Sequence, residues 1–399
     1  MGSEILRCGL KFTTPRLVRF EMHYATSPLC LACGSCKEDA SLVASERKLS
    51  MTGLEPKARL ENSLSARISQ PGFSEEDMNN NIVIRPYEPQ HDESQVYALW
   101  QQVLSHHWPL SYETFHYTTV ANPAYQQGDH FVARVDHDVV GFIGSQGPRI
   151  RGALPVRGEL MLVLVAPAYQ KQGIGRALLD RALAALKQRG VEEVQLGDSG
   201  LTYFWPGVPT NLPGAWPFFQ ACGWTGSERS FDLVRELGDY VTPPGIYERI
   251  RTPGITIVPA LQTDVPAVLE FESRHFPRWL PYYQRVMDHN GYADVVVAKD
   301  IRQGIVGTSC VMHPHASWQR HDIVWRQLLG ENTGGIGPLG VAESMRENGV
   351  GLALAARVTE LLHARGIETS YIGYTWLINW YGKLGYHLWR DYTMSWKKL

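Results

Sequence analysis

The feature that most constrains this chain is a pattern that occurs twice in one register. The first copy begins at Glu159, runs through an apolar stretch to Val165 and a Pro-marked turn, and reaches Gln170-Lys171-Gln172-Gly173-Ile174-Gly175-Arg176. The second passes through Leu339 and Val341 to Arg346-Glu347-Asn348-Gly349-Val350-Gly351-Leu352. Arg346 follows Gln170, Gly349 follows Gly173 and Gly351 follows Gly175, each by 176 positions. Arg365-Gly366 keep the same spacing from Arg189-Gly190, and Ile372-Gly373 keep it from Leu196-Gly197. Further on, Trp380, Tyr381 and Gly385 follow Phe218, Phe219 and Gly223 by 162, so the first copy carries 14 extra residues around positions 203–214. A glycine pair met once says little. Met twice with matching flanks, it marks a duplicated domain.

Each copy reads as a buried strand, a glycine-rich loop and the start of a helix. Such a loop lets backbone approach a ligand closely, and the unpaired N–H groups at the helix start attract anions. It is a place to hold a phosphate. A dinucleotide fingerprint would need three glycines after the first strand of a parallel unit, and neither copy has them. A P-loop would need Gly-Lys-Ser/Thr, whereas Gly175 is followed by Arg176 and Gly351 by Leu352.

The rest of the chain divides around the repeat. Residues 1–77 carry scattered charge, Ser and Pro without a sustained period, and read as a low-order extension; Met78 is a candidate natural start. Residues 78–240 form the first domain, 241–254 a Pro- and Gly-bracketed linker, and 255–399 the second domain. In the first domain the periodicity predicts strands at 82–84, 131–135, 139–143, 159–165 and 191–196. It predicts helices over 92–104 and from Gly175 to Gly190, the latter with Leu178, Leu179, Ala182, Leu183 and Leu186 as its apolar stripe. In the second domain, 255–259, 295–298 and 305–309 read as strands, with a helix start at Thr263-Asp264 followed by Pro266. Antiparallel strands followed by strand, loop, helix and strand imply a mixed α/β layer.

Composition excludes some partners. A formal net charge of -2 supplies no basic field for nucleic acid. No apolar run approaches the roughly 20 residues of a membrane span, and six cysteines in 399 residues make no disulfide framework, so a reducing cytoplasm is the expected home. Cys30, Cys33 and Cys36 supply thiols at half of a zinc spacing, and a fourth ligand would have to fold back from Cys8 or His23. Reduced, unligated thiols are the better reading, and no metal is expected. His106, His107 and His116 lack a carboxylate or cysteine at ligand spacing and read as packing or surface histidines. Asp198-Ser199 lacks the nucleophile elbow of a hydrolase.

The doubled Gln/Arg-x-x-Gly-x-Gly loop, with its preceding strand and its later aromatic–aromatic-x-x-x-Gly-aromatic segment, resembles the GNAT acetyltransferase superfamily over residues 82–240 and 255–399. The resemblance implies two tandem domains, each a mixed, splayed sheet whose gap admits the pantetheine arm of acetyl-CoA, with acetyl-CoA as co-substrate. It implies that the N–H groups from Gln172 to Arg176 and from Asn348 to Leu352 hold the pyrophosphate, within loops Gln170–Arg176 and Arg346–Leu352. A strand N–H near Val165 or Val341 would stabilise the thioester oxygen. Glu159, 11 positions before Gln170, falls where one branch of the superfamily carries its general base; the same count from Arg346 reaches Gly335. Tyr381 falls where many members carry the tyrosine that protonates the thiolate, and Asn379 where an asparagine contacts CoA; the first copy has Phe219 instead of that tyrosine. Tyr203, in the insertion, is a candidate for the missing hydroxyl. The expected activity is transfer of an acetyl group to a primary amine of a small molecule or peptide, with chemistry in one copy. The rival readings are a non-catalytic acyl-CoA sensor and an interaction scaffold.

Overall fold

The computed structural model describes residues 82–148, 155–198, 202–316 and 322–399. The expectations on residues 1–77, including those for Cys30, Cys33 and Cys36, lie outside the described residues. In chain order the first repeat holds β1 (Ile82–Pro86), α1 (Pro89–Val103), α2 (Tyr112–Thr118), β2 (Phe131–Val135), β3 (Asp138–Gln146), β4 (Arg157–Val165), α3 (Ile174–Gln188), β5 (Glu193–Leu196), β6 (Val208–Pro209), α4 (Ala215–Ala221) and β7 (Glu228–Glu236). The second holds β8 (Ile255–Pro259), α5 (Val265–His275), α6 (Leu280–Asp288), β9 (Val295–Asp300), β10 (Gly304–Met312), α7 (Arg326–Leu329), β11 (Thr333–Val341), α8 (Val350–Ala364), β12 (Thr369–Thr375), α9 (Ile378–Tyr381), β13 (His387–Met394) and β14 (Trp396–Lys398).

Local chemistry accounts for the element boundaries. Helix α1 starts three residues earlier than its apolar period suggested, because Pro89 suits the first helical turn. Asp92 then closes that turn from inside: its buried carboxylate accepts the Glu88 N–H at 2.9 Å and the Arg85 guanidinium at 2.8 and 2.7 Å. In α3, Ile174, Leu178, Leu179, Ala182 and Leu186 are buried and the opposite face is exposed, as the stripe predicts. Helix α8 differs. Leu352, Ala353, Leu354, Ala355, Ala356 and Val358 are all buried, so its apolar residues go most of the way round, and something must cover the side facing away from the sheet.

The strands form two mixed sheets, ordered β1-β2-β3-β4-β5-β14 and β6-β13-β7-β12-β11-β10-β9-β8. Each contains one short parallel pairing. In the first sheet Arg157, Gly158 and Glu159 pair with Glu193, Val194 and Gln195. In the second, Thr333, Gly334 and Gly335 pair with Thr369, Ser370 and Tyr371. Every one of these six pairs is shifted from its counterpart by the 176 of the sequence repeat. Beyond them β4 runs on to Val165 while β5 ends at Leu196, so the first sheet splays open there. The repeat also duplicates an ion pair behind the loop-bearing helix: Arg189 meets Asp129 after α3, and Arg365 meets Asp294 at 2.7 Å after α8.

The repeats are not side by side as closed units. Strand β7, from the first, lies between β12 and β13 of the second sheet, pairing with both. Strand β14, the last of the chain, pairs with β5 of the first sheet. The second sheet therefore takes β6 and β7 from the first repeat, and the first sheet takes β14 from the second.

One buried acid lies between α5 and β10. Glu272 of α5 is fully buried, and Thr308 on β10 donates to it at 2.5 Å; burial raises its pKa from 4.5 to about 8 against the weaker lowering effect of that bond. The folded state thus holds this proton more tightly than the unfolded chain. The associated stability is fully present below about pH 4.5 and is lost as pH rises toward about 8. Thermal unfolding of wild type and Glu272→Gln should show the variant gaining on wild type between pH 5 and pH 8, while a constant difference would contradict the assignment.

Candidate active site

The first loop is built by three local devices. The Gln170 side-chain amide donates to the Val165 carbonyl at 3.0 Å, folding the loop back onto the end of β4. Lys171 and Gly173 then adopt left-handed conformations, with φ of +62° and +86°. Gly173 is the residue that caps α3, so the first-turn N–H groups of that helix point out of its positive end. The second loop repeats the geometry, with Glu347 at φ +63° and Gly349 at +81°.

The later glycine of each loop has a packing reason that the sequence alone did not show. A Cβ on Gly175 would stand 3.1 Å from the Phe218 ring, and one on Gly351 would stand 3.4 Å from Trp380. The aromatic segment of each repeat thus closes against the first turn of its own loop-bearing helix. Arg176 adds a hydrogen bond to the Ala221 carbonyl at 2.6 Å.

Here the two copies diverge. A Cβ on Gly173 would meet nothing within 4 Å, and residues 170–173 are exposed. A Cβ on Gly349 would lie 2.3 Å from the Arg249 carbonyl oxygen. The linker runs across this loop: the Arg251 N–H donates to the Asn348 carbonyl at 3.1 Å. Upstream, Thr242 and Tyr247 donate to Glu360 of α8 at 2.6 and 2.8 Å, and Tyr240 and Ile246 share the apolar cluster of Leu352 and Ala356. This strap is what covers the outer face of α8. Charge separates the loops as well, since Lys171 and Arg176 flank the first, whereas Arg346 in the second is offset by Glu347.

The remaining expected residues fall as follows. Ile174 and Val350 are buried, so only their backbones face the loops; Val165 and Val341 are half-buried at their strand ends, and Gln172 is exposed. Glu159 is 7% exposed in the parallel pairing with Gln195, next to the point where β4 and β5 part. Gly335 holds the matching place in the second sheet, backed by Tyr371 and Met312. Tyr381 is buried against Tyr386, with ring centres 6.1 Å apart, and burial pushes its pKa far up. Asn379 is exposed on α9. Tyr203 lies with its ring centre 6.3 Å from that of Tyr374.

Sequence reasoning missed Gln195, Tyr374 and Asp232. Gln195 donates to the Pro206 carbonyl at 3.0 Å and to the Tyr374 hydroxyl at 3.4 Å, which brings a second-repeat side chain to the strand beside Glu159. Asp232 on β7 is fully buried, and burial lifts its pKa to about 6. Its neighbours come from the other repeat, and no local spacing encodes them. Among the described residues no cluster of His, Cys, Asp or Glu suited to a metal ion occurs, and no helix is long and apolar enough to cross a membrane.

Comparison with known proteins agrees with this architecture. Residues 95–224 match the profile of the Acetyltransferase (GNAT) family. The chain is similar to the glucosamine N-acetyltransferase region of a fungal multi-domain β-N-acetylglucosaminidase, at 29% identity and a TM-score of 0.73, over 79% of this chain and 38% of that one. This chain thus spans well under half the length of that relative. An N-acetyltransferase from Sphaerobacter thermophilus shares the fold at 17% identity and a TM-score of 0.58, over 80% of this chain and 96% of that one. A tandem GNAT protein of the clavulanic acid biosynthesis pathway does so at 17% and 0.53, over 79% and 98%. No curated protein sequence matches. Residues 95–224 thus carry a GNAT-family match, and the chain as a whole shares the fold of GNAT proteins, a tandem one among them. Acetyl-CoA is the co-substrate of that family, and the first loop suits a diphosphate: an open glycine, two flanking cations and a helix start.

The asymmetry of the loops is measurable. Alanine in a left-handed position costs about 1–2 kcal/mol in either copy. At Gly349 the new methyl group must also displace linker backbone, which adds roughly 1–3 kcal/mol. Calorimetry should therefore show Gly349→Ala unfolding at a clearly lower temperature than Gly173→Ala, and equal losses would contradict the close linker contact.

Proposed function

We propose that this protein transfers the acetyl group of acetyl-CoA to the primary amine of an amino sugar, with the chemistry in the first repeat. The observation that carries the choice of repeat is the pairing of an open, cationic loop with a carboxylate at the splay. Glu159 stands beside the first opening, whereas the second sheet has Gly335 there and the second loop is strapped by the linker. In this reading Lys171, Arg176 and the first-turn N–H groups of α3 hold the pyrophosphate, and an N–H near Val165 steadies the thioester oxygen. Glu159 takes the proton from the acceptor ammonium so that the free amine can attack. The amino-sugar acceptor draws on the fungal glucosamine N-acetyltransferase region, whose likeness extends over both repeats.

A non-catalytic acyl-CoA sensor is the second reading, favoured by Phe219, which places no hydroxyl where the second repeat has Tyr381. Turnover decides between them. With glucosamine and acetyl-CoA, thiol release should be catalytic, and titration calorimetry should give one acetyl-CoA per chain. Glu159→Gln should keep that affinity while lowering kcat about 100-fold near neutral pH, within the usual worth of a positioned base. Acetyl-CoA binding without turnover on any amine would select the sensor, and two equivalent sites would refute the assignment to the first repeat.

A further inference from the structure

We propose that Tyr374, a residue of the second repeat, binds the acceptor in the active site of the first. The inference rests on the acetyl-transfer reading above and names a residue that neither the repeat pattern nor the family comparison assigns.

The geometry begins with the backbone. Tyr374 has φ +54°, a conformation that a bulky side chain adopts only at a cost. It sits where β12 slips its register against β7, between Ile372 and Thr375. The slip is pinned from the other repeat: Asp232 of β7 accepts the Tyr374 N–H at 3.0 Å through one oxygen. Its other oxygen accepts the hydroxyls of Tyr371 at 2.8 Å and Tyr392 at 2.5 Å. A fully buried carboxylate with three donors is a firm anchor, and it holds the backbone in the strained form.

That backbone carries the Tyr374 side chain across to the first sheet. The Gln195 amide donates to its hydroxyl oxygen at 3.4 Å, and Gln195 is the residue paired with Glu159 across the parallel strands. Because the oxygen accepts from Gln195, the hydroxyl keeps its own proton to donate. Burial raises its pKa, with the charge of Glu159 adding to the rise, so it is protonated at any working pH. The side chain is half-buried, not sealed in the core, and the Tyr203 ring stands beside it. A neutral phenol, a primary amide and a second phenol next to a carboxylate suit a hydroxyl-bearing acceptor whose amine must reach Glu159. Strain of this kind, enforced by surrounding structure, is what a binding site uses to aim a side chain that the local sequence would place elsewhere.

The position is specific to the exchange of strands. Tyr374 is the counterpart of Asp198 at the repeat spacing, yet it contacts the other repeat's sheet because β7 has entered the second sheet beside it. On this reading the second repeat, whose own loop is strapped and lacks the carboxylate, lends a residue to the first.

The test compares wild type with Tyr374→Phe, in the full chain, by varying glucosamine at saturating acetyl-CoA and by measuring acetyl-CoA affinity separately. Losing one neutral hydrogen bond to the acceptor should raise the acceptor KM about threefold to tenfold. kcat should stay within about twofold, and acetyl-CoA affinity and melting temperature should not change. An unchanged acceptor KM in an active enzyme overturns the assignment of Tyr374 alone. A joint fall in acetyl-CoA affinity and melting temperature also overturns it, since that is the mark of a structural role. A wild type that binds acetyl-CoA but acetylates no amine overturns the functional reading and this inference with it.

Discussion

The structure depends on the exchange of strands between its two sheets. A central strand is stable only when its N–H and C=O groups find partners on both sides, and β7 finds β12 and β13 of the other repeat. Without β7 the second sheet would be cut between β12 and β13, and without β14 the first would end at β5. Neither repeat has a complete sheet of its own. The buried contacts follow from the same exchange: Asp232 arrives on β7 and becomes the acceptor for Tyr371, Tyr392 and the backbone of Tyr374.

The same connectivity explains why two copies of one pattern differ. The chain must leave β7 inside the second sheet and still begin β8 at that sheet's far edge. The connecting segment crosses α8 on the way, and the broad apolar surface of that helix is the complement of the segment lying on it. The cost falls on the second glycine loop, where Gly349 is pressed against Arg249. Helix α3 bears no such strap, keeps an exposed face and leaves its loop open. Duplication supplied two similar loops, and the path of the chain between them made them unequal.

Much of this was legible in the residues. The six paired positions of the two short parallel ladders follow the sequence repeat one for one, because period and glycine placement are local properties. The stripe of α3 lies inward as its spacing required. The start of α1 was misplaced by three residues because Pro89 and the inward-turned Asp92 act through capping, which an apolar period does not report. The role of Gly175 and Gly351 in admitting an aromatic ring became visible only with Phe218 and Trp380 in place.

The sequence by itself determined the duplication, the strand–loop–helix units and the fact that only one copy carries a carboxylate at the splay, since each is written in neighbouring residues or in one fixed spacing. The tertiary structure alone decided which repeat each strand would join, that the linker would lie on the second loop, and that Tyr374 would reach Gln195. Those outcomes are pairings between residues 100 or more positions apart, such as Gln195 with Tyr374, Arg249 with Gly349 and Gln195 with Trp396. They are selected by which long-range partner satisfies buried polar groups and covers apolar surface, and no local pattern encodes that choice.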